Sequence, residues 1–184
     1  SDLVRQSARR RQHLPVRTVP NLVDTTRFNT TLTDIAPLRR ASQTPVLWIG
    51  RLENTHKNYI DFLRILHLLP EQYYGIMVVS LEEDPVRFSR PILEASQLAV
   101  DERIDLMLNV AQQDVASLHR AVAAAGGVFC STALMETFGY GVLEAGMCGL
   151  PVVAYDVGPL ADHDIDNYAR VPVGSLVEAA QKIQ

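Results

Sequence analysis

GGVFCSTALMETFGYGVLEAGMCGLPVVAY, residues 126–155, holds two apolar runs of strand length, GGVFCS (126–131) and LPVVAY (150–155). Neither run alternates polar with apolar residues, as a half-wet antiparallel strand would; continuous runs of this length fit strands covered on both faces. Between them, a helical segment is expected from about Tyr140 to Cys148, which makes the stretch a strand–loop–helix–strand unit. Two further runs repeat the pattern upstream, PVLWIG (45–50) and YGIMVVS (74–80). Tyr59, Phe62, Leu63, Leu66 and Leu69 follow i, i+3, i+4 spacing, as do Val115, Leu118 and Val122, so helices are expected there too. A weaker strand is expected over RIDLMLN (103–109), with a helix before it from about Pro85 to Leu98, and VRTVP (16–20) reads as a lead-in strand. Residues 24–44, rich in Thr and containing Pro37, read as a loop with one short helical turn.

Strands alternating with helices of 10–15 residues mean β-α-β units, right-handed crossovers and a parallel sheet. The expected fold is therefore α/β, a doubly wound, Rossmann-like sheet. Ligands of such sheets lie outside the carboxyl ends of the strands. The segments after PVLWIG, GGVFCS and LPVVAY are accordingly where chemistry should be sought.

At 184 residues, with 47 % hydrophobic and 21 % charged residues, the chain has the composition of a globular protein with one sizeable core. A net charge of −4 speaks against a nucleic-acid binder working through its overall field. Arg5, Arg9, Arg10, Arg11 and Arg17 nevertheless crowd the first 17 residues, a cluster that reads as a solvated lead-in or as a surface for phosphates or an anionic membrane. No apolar stretch approaches the roughly 20 residues needed to span a bilayer, and the first residues lack a signal-peptide centre. The expectation is a cytoplasmic protein, with peripheral membrane contact open for a longer form. Cys130 and Cys148 have neither metal-knuckle nor redox CxxC spacing and are expected to be buried free thiols.

GRLENTHKN follows the first core strand and places Arg51 and Lys57 just before a helix. A guanidinium fork, an ammonium and free helix N–H groups together suit a di-anionic group. At the third strand end, Glu136 falls in a loop, Gly139 and Gly141 permit close backbone approach, and Glu144 lies one turn into the helix. A carboxylate accepts two hydroxyls at once, so two acids flanking a phosphate cradle fit a sugar joined to a diphosphate. Spacing alone leaves the plainer reading standing, in which Glu136 caps a turn, Glu144 is a surface residue and the glycines serve the bend.

VPNLVDTTRF, GRLENTHKN and ETFGYGVLEAGMCGLPVVAYDVG together resemble the carboxyl-terminal half of GT-B fold, retaining glycosyltransferases of the family-four, or group 1, type, over about Val19 to Gly158. The most specific element is Glu-x7-Glu, met by Glu136 and Glu144. The resemblance implies a donor-binding domain of a larger enzyme that transfers a sugar with retention and without a metal or other cofactor. In it Arg51 and Lys57 hold the diphosphate, Glu144 the ribose hydroxyls and Glu136 the transferred sugar, with backbone amides around Phe138, Gly139, Tyr140 and Gly141 also contacting the donor. It implies a donor linked to UDP, GDP or ADP, and a separate amino-terminal half, absent from these residues, that brings the acceptor. On this reading residues 19–184 are the core, 1–18 a basic lead-in, and the domain alone does little catalysis. The chain departs from the family pattern in three places: Lys57 is six rather than five residues after Arg51, Glu82, Glu83 and Asp84 replace a glycine-rich turn, and VGP replaces a glycine pair.

Two rival readings remain. Asp162, Asp164 and Asp166, with His163, form overlapping Asp-x-Asp patterns of the kind with which metal-dependent transferases hold a divalent cation. Alternatively, the domain binds a nucleotide sugar or a protein partner without transferring anything. His56, beside Lys57, is the one histidine near the proposed pocket.

Overall fold

The computed structural model describes residues 21–31, 38–40, 42–52, 55–80, 88–158, 160 and 165–184. Six parallel strands form one sheet: β1 (Thr44–Ile49), β2 (Tyr73–Val79), β3 (Ile104–Leu108), β4 (Val128–Ser131), β5 (Val152–Tyr155) and β6 (Tyr168–Val171), in the order β3-β2-β1-β4-β5-β6. The helices are α1 (Tyr59–Leu68), α2 (Ser89–Gln97), α3 (Gln112–Ala124), α4 (Tyr140–Met147) and α5 (Leu176–Ile183). The doubly wound α/β sheet expected from the apolar runs is therefore present.

Each run is apolar throughout because successive side chains leave the sheet on opposite sides and both sides are buried. Val46 and Trp48 enter a core with Phe62 and Leu66 of α1 and Ala180 of α5. Leu47, between them, enters a second core with Leu118 and Val122 of α3 and Val142 and Ala145 of α4. Trp48, Tyr74, Tyr155 and Phe62 are among the largest fully buried side chains. Burying a side chain of this size contributes on the order of 2–3 kcal/mol, so the two layers supply most of the driving force for closing the sheet.

The winding direction follows from the same division. From β1 the chain proceeds through α1 to β2 and through α2 to β3, moving outward on one side. It then crosses back by α3 to β4, which pairs with the other edge of β1 through Val46↔Val128 and Leu47↔Phe129. Between β1 and β4 the direction of winding reverses, which opens a crevice at their carboxyl ends.

Several boundaries differ from the sequence reading. The helix expected from about Pro85 is described from Ser89, because residues 81–87 lie outside the described residues, as do the expected lead-in strand at 16–20, the Arg5–Arg17 cluster, Glu82–Asp84, and Asp162, His163 and Asp164. The short turn expected within 24–44 is seen at Asp24–Phe28, where the Asp24 carboxylate accepts from the backbone N–H groups of Thr26 and Arg27. β6 and α5 were not expected. Tyr168–Val171 is a half-exposed edge strand carrying Arg170, so it lacks the continuous apolar signature of the inner strands. Cys130 and Cys148 are buried free thiols, as expected, and burial pushes the Cys130 thiol up to about 12.

Candidate functional site

The crevice where the winding reverses is a cleft of about 540 Å³. Strand ends supply its floor: Ile49–Arg51 at the end of β1, Val78–Ser80 at the end of β2, Asn109 and Val110 after β3, and Phe129 and Ser131 of β4. The β4–α4 loop and the first turns of α4 form the opposite wall, with Glu136, Gly141, Val142 and Glu144. Arg51, Lys57, Glu136, Gly141 and Glu144, 93 positions apart at the extremes, thus meet at one end of the sheet. Ile49, Val78, Val79, Val110 and Phe129 make part of the floor apolar, while Arg51, Lys57, Glu136 and Glu144 bring charge to the cleft.

Lys57 and Glu136 form a direct ion pair across the cleft, the ammonium donating to Oε1 of the carboxylate. Both side chains are partly shielded from water, so salt screens the pair less than a surface salt bridge, while desolvation of the two charges offsets part of the attraction. Sequence reading placed the cation and the acid in one site without expecting them to neutralise each other. Gly158, following β5, presses against this acid. A Cβ there would lie 2.7 Å from the Glu136 carbonyl oxygen, and its φ of +53° is in the left-handed region, so both the contact and the backbone call for glycine.

Gly139 has φ +83° and starts α4 without a capping side chain, leaving the first backbone N–H groups of that helix to other acceptors. The rings of Phe138 and Tyr140 pack against each other with centroids 4.7 Å apart. The cleft lining does not include Phe138, Gly139 or Tyr140; Tyr140 instead borders an adjoining cavity of about 510 Å³, formed with Leu22–Asp24, Arg27, Phe28 and Gln112. Of the residues expected around the donor in the segment 138–141, the cleft lining includes Gly141 alone.

Glu144 lines both cavities. Burial pushes its carboxyl up to about 7, against a smaller opposing effect of the Arg27 guanidinium. An acid held near neutrality by its surroundings is a common mark of a binding or reacting group. Close to it lies His119, fully buried, its ring near those of Phe28 and Phe129. Burial holds this imidazole at about 4, and the Glu144 carbonyl, which favours the charged form, offsets that only in part.

His56 does not line the cleft; its ring contacts the Thr55 hydroxyl, and its carbonyl accepts from the Leu134 N–H. Among the described residues no group of three His, Cys, Asp or Glu side chains is placed to hold a metal ion. No helix among them is long and apolar enough to cross a membrane. Sequence reasoning missed Ser80, Asn109, Gln112 and Ser131, polar residues brought together by the ends of β2, β3 and β4 and the start of α3.

The chain is 30 % identical over 173 residues to a subunit of the human phosphatidylinositol N-acetylglucosaminyltransferase, covering 91 % of this chain and 33 % of the relative. It is 26 % identical over 131 residues to a probable sucrose-phosphate synthase of Thermosipho melanesiensis. Among solved structures, Anabaena HepE in complex with UDP-glucose superposes with a TM-score of 0.73 at 25 % identity, over 88 % of this chain and 44 % of that one. The sucrose-phosphate synthase of Thermosynechococcus elongatus shares the fold, with a TM-score of 0.71 over 98 % of this chain and 46 % of its own. The chain spans about a third of the human relative and under half of these structures. Residues 34–183 match the family model for glycosyl transferases group 1, and the chain belongs to that family.

Proposed function

We propose that this chain is the donor-binding half of a retaining glycosyltransferase and that its cleft takes a nucleoside-diphosphate sugar. The observation that carries the proposal is the convergence of Arg51, Lys57, Glu136 and Glu144 with the start of α4 around one cleft. Arg51, Lys57 and the α4 amides take the diphosphate, Glu144 accepts from the ribose hydroxyls, and Glu136 accepts from the transferred sugar. The apolar floor of Val78, Val79, Val110 and Val115 gives the base a dry surface. UDP, GDP and ADP remain the candidate carriers, and the UDP-glucose held by HepE makes UDP the first to test.

The Lys57–Glu136 pair gives the mechanism its order. Before donor binds, each group neutralises the other. The entering diphosphate draws the ammonium toward itself, and Glu136 is released to accept sugar hydroxyls. As the sugar–phosphate bond breaks, negative charge grows on the leaving diphosphate, where fixed cations and helix amides stabilise it in a water-poor site. No metal is needed for this step.

The acceptor comes from a second half of the longer protein. Leu134, Met135 and Tyr140, large apolar groups exposed on the rim of the α4 end, support a partner surface closing over this face. The location is cytoplasmic. Calorimetric titration with UDP, GDP and ADP tests the reading: one of them binds, and Arg51→Ala abolishes the heat. No binding by any of the three sinks it.

A further inference from the structure

Behind the cleft lies a buried polar network that no contact with ligand explains. Thr132, the first residue past β4, is 1 % exposed, and its hydroxyl accepts from the Trp48 indole Nε1 at 3.1 Å. Its one proton is shared between the carbonyls of Asn58, at 2.9 Å, and Lys57, at 3.1 Å. Asn58 is held in the left-handed region, φ 50°, ψ 55°, immediately before α1. Its side chain donates to Oδ2 of Asp61 at 2.7 Å, and the Tyr155 hydroxyl donates to the same oxygen at 2.9 Å. Arg64 donates to the other carboxylate oxygen at 3.1 Å. Trp48 also underlies the loop directly, since a Cβ on Gly50 would lie 2.8 Å from the indole and 3.0 Å from Cβ of Lys57.

The elements joined by these bonds are the ends of β1, β4 and β5 and the start of α1. Asparagine is one of the few residues besides glycine that adopts the left-handed region, and these bonds hold Asn58 there. Here what it fixes is the peptide that carries Lys57. A lysine has four rotatable side-chain bonds, so its aim is only as good as the backbone that launches it.

We propose that Thr132 is a positioning residue. By holding the Lys57–Asn58 backbone in its left-handed turn against Trp48, it presents the Lys57 ammonium to the diphosphate of the donor. Asn58 and Asp61 serve the same purpose from the helix side. The inference rests on the functional reading above, because it assigns Lys57 to the diphosphate.

The test is a double-mutant cycle read by calorimetry on the chain, with whichever of UDP, GDP and ADP binds tightest. Thr132→Val keeps the shape, removes the hydroxyl, and is expected to weaken binding about tenfold, the size of one misplaced charge-assisted interaction. In a Lys57→Ala background the same change is expected to cost less than about twofold, because the group it aims is gone. Thr132→Ser restores binding to within about twofold. Asn58→Gly, which tolerates the left-handed turn but loses the tie to Asp61, gives a second arm to the cycle should Thr132→Val fail to fold; it weakens binding about threefold, again only while Lys57 is present. Equal losses with and without Lys57, or no loss in a folded Thr132→Val chain, overturn the proposal. An unchanged affinity in Lys57→Ala overturns instead the functional reading beneath it.

Discussion

Replacing Glu144 by Gln should make the protein more stable and a poorer binder at once, with the size of the gain set by pH. Burial raises this carboxyl from 4.5 to about 7, so the folded chain holds the proton more tightly than the unfolded one. Between those values the folded state binds more protons, and stability therefore falls as pH rises. The contribution is fully present below pH 4.5 and gone once pH has passed about 7. At about 1.4 kcal/mol per pH unit the gap sets a ceiling of about 3 kcal/mol. Because the side chain is only partly buried and borders two open cavities, water screens it, and about 1 kcal/mol is the realistic size. For a domain of this length that is roughly 2–4 °C in Tm. Thermal melts of both chains from about pH 5 to 8 should show Glu144→Gln gaining about that much on the parent across the range. Titration at pH 8 should show donor binding weakened about tenfold, the equivalent of one missing charged hydrogen bond. A Tm difference that stays flat with pH, or that closes as pH rises, refutes the reasoning.

Other variants address separate parts of the account. Arg51→Ala or Lys57→Ala in the full-length protein should lower turnover by on the order of 10²-fold, the usual effect of removing one electrostatic interaction from a transition state, and rates within about twofold of the parent would contradict their role. Gly158→Ala puts a Cβ against the Glu136 carbonyl and strains a positive φ; a loss of about 1–2 kcal/mol in urea denaturation, together with weaker donor binding, is expected, and no change in either would show that this packing does not place the acid. His119→Phe tests the opposite sign of linkage. The imidazole lies at about 4 against an ordinary 6.5, so its contribution is full above pH 6.5 and lost as pH falls toward 4. The variant should match the parent to within about 1 kcal/mol at neutral pH and lose less stability on acidification; parallel acid curves would contradict this.

How far the sequence carried depended on the range of the interaction involved. β1, β2, β4 and β5 were legible because two buried faces leave no room for polar residues, and α1 and α3 because one apolar stripe repeats at helical spacing. β6 was not, since an edge strand ending in Tyr-Ala-Arg-Val presents one wet face and too few residues to show a period. α5 carried a usable signal in Leu176, Ala179, Ala180 and Ile183, all facing the core or its edge, but it was too short to stand out. Residue types beside strand ends marked Arg51, Lys57, Glu136 and Glu144 only as candidates, and it was the family resemblance that assigned them roles; what the fold adds is that all four line one cleft. The Lys57–Glu136 bond was not legible, nor was Thr132 as a tie between β4 and the turn before α1. Such bonds join residues 74 to 79 positions apart, and only the sheet order brings them together. The near-neutral carboxyl of Glu144 was likewise invisible, because desolvation depends on how α4 packs and not on its neighbours in sequence.

The most direct measurement is a crystal structure of the chain grown with UDP-glucose. The account predicts diphosphate oxygens within hydrogen-bonding reach of Arg51, Lys57 and the first amides of α4, ribose hydroxyls on Glu144, and the Lys57–Glu136 pair opened toward the ligand. A nucleotide seated at the opposite end of the sheet, or a diphosphate that leaves Arg51 and Lys57 untouched, would contradict it.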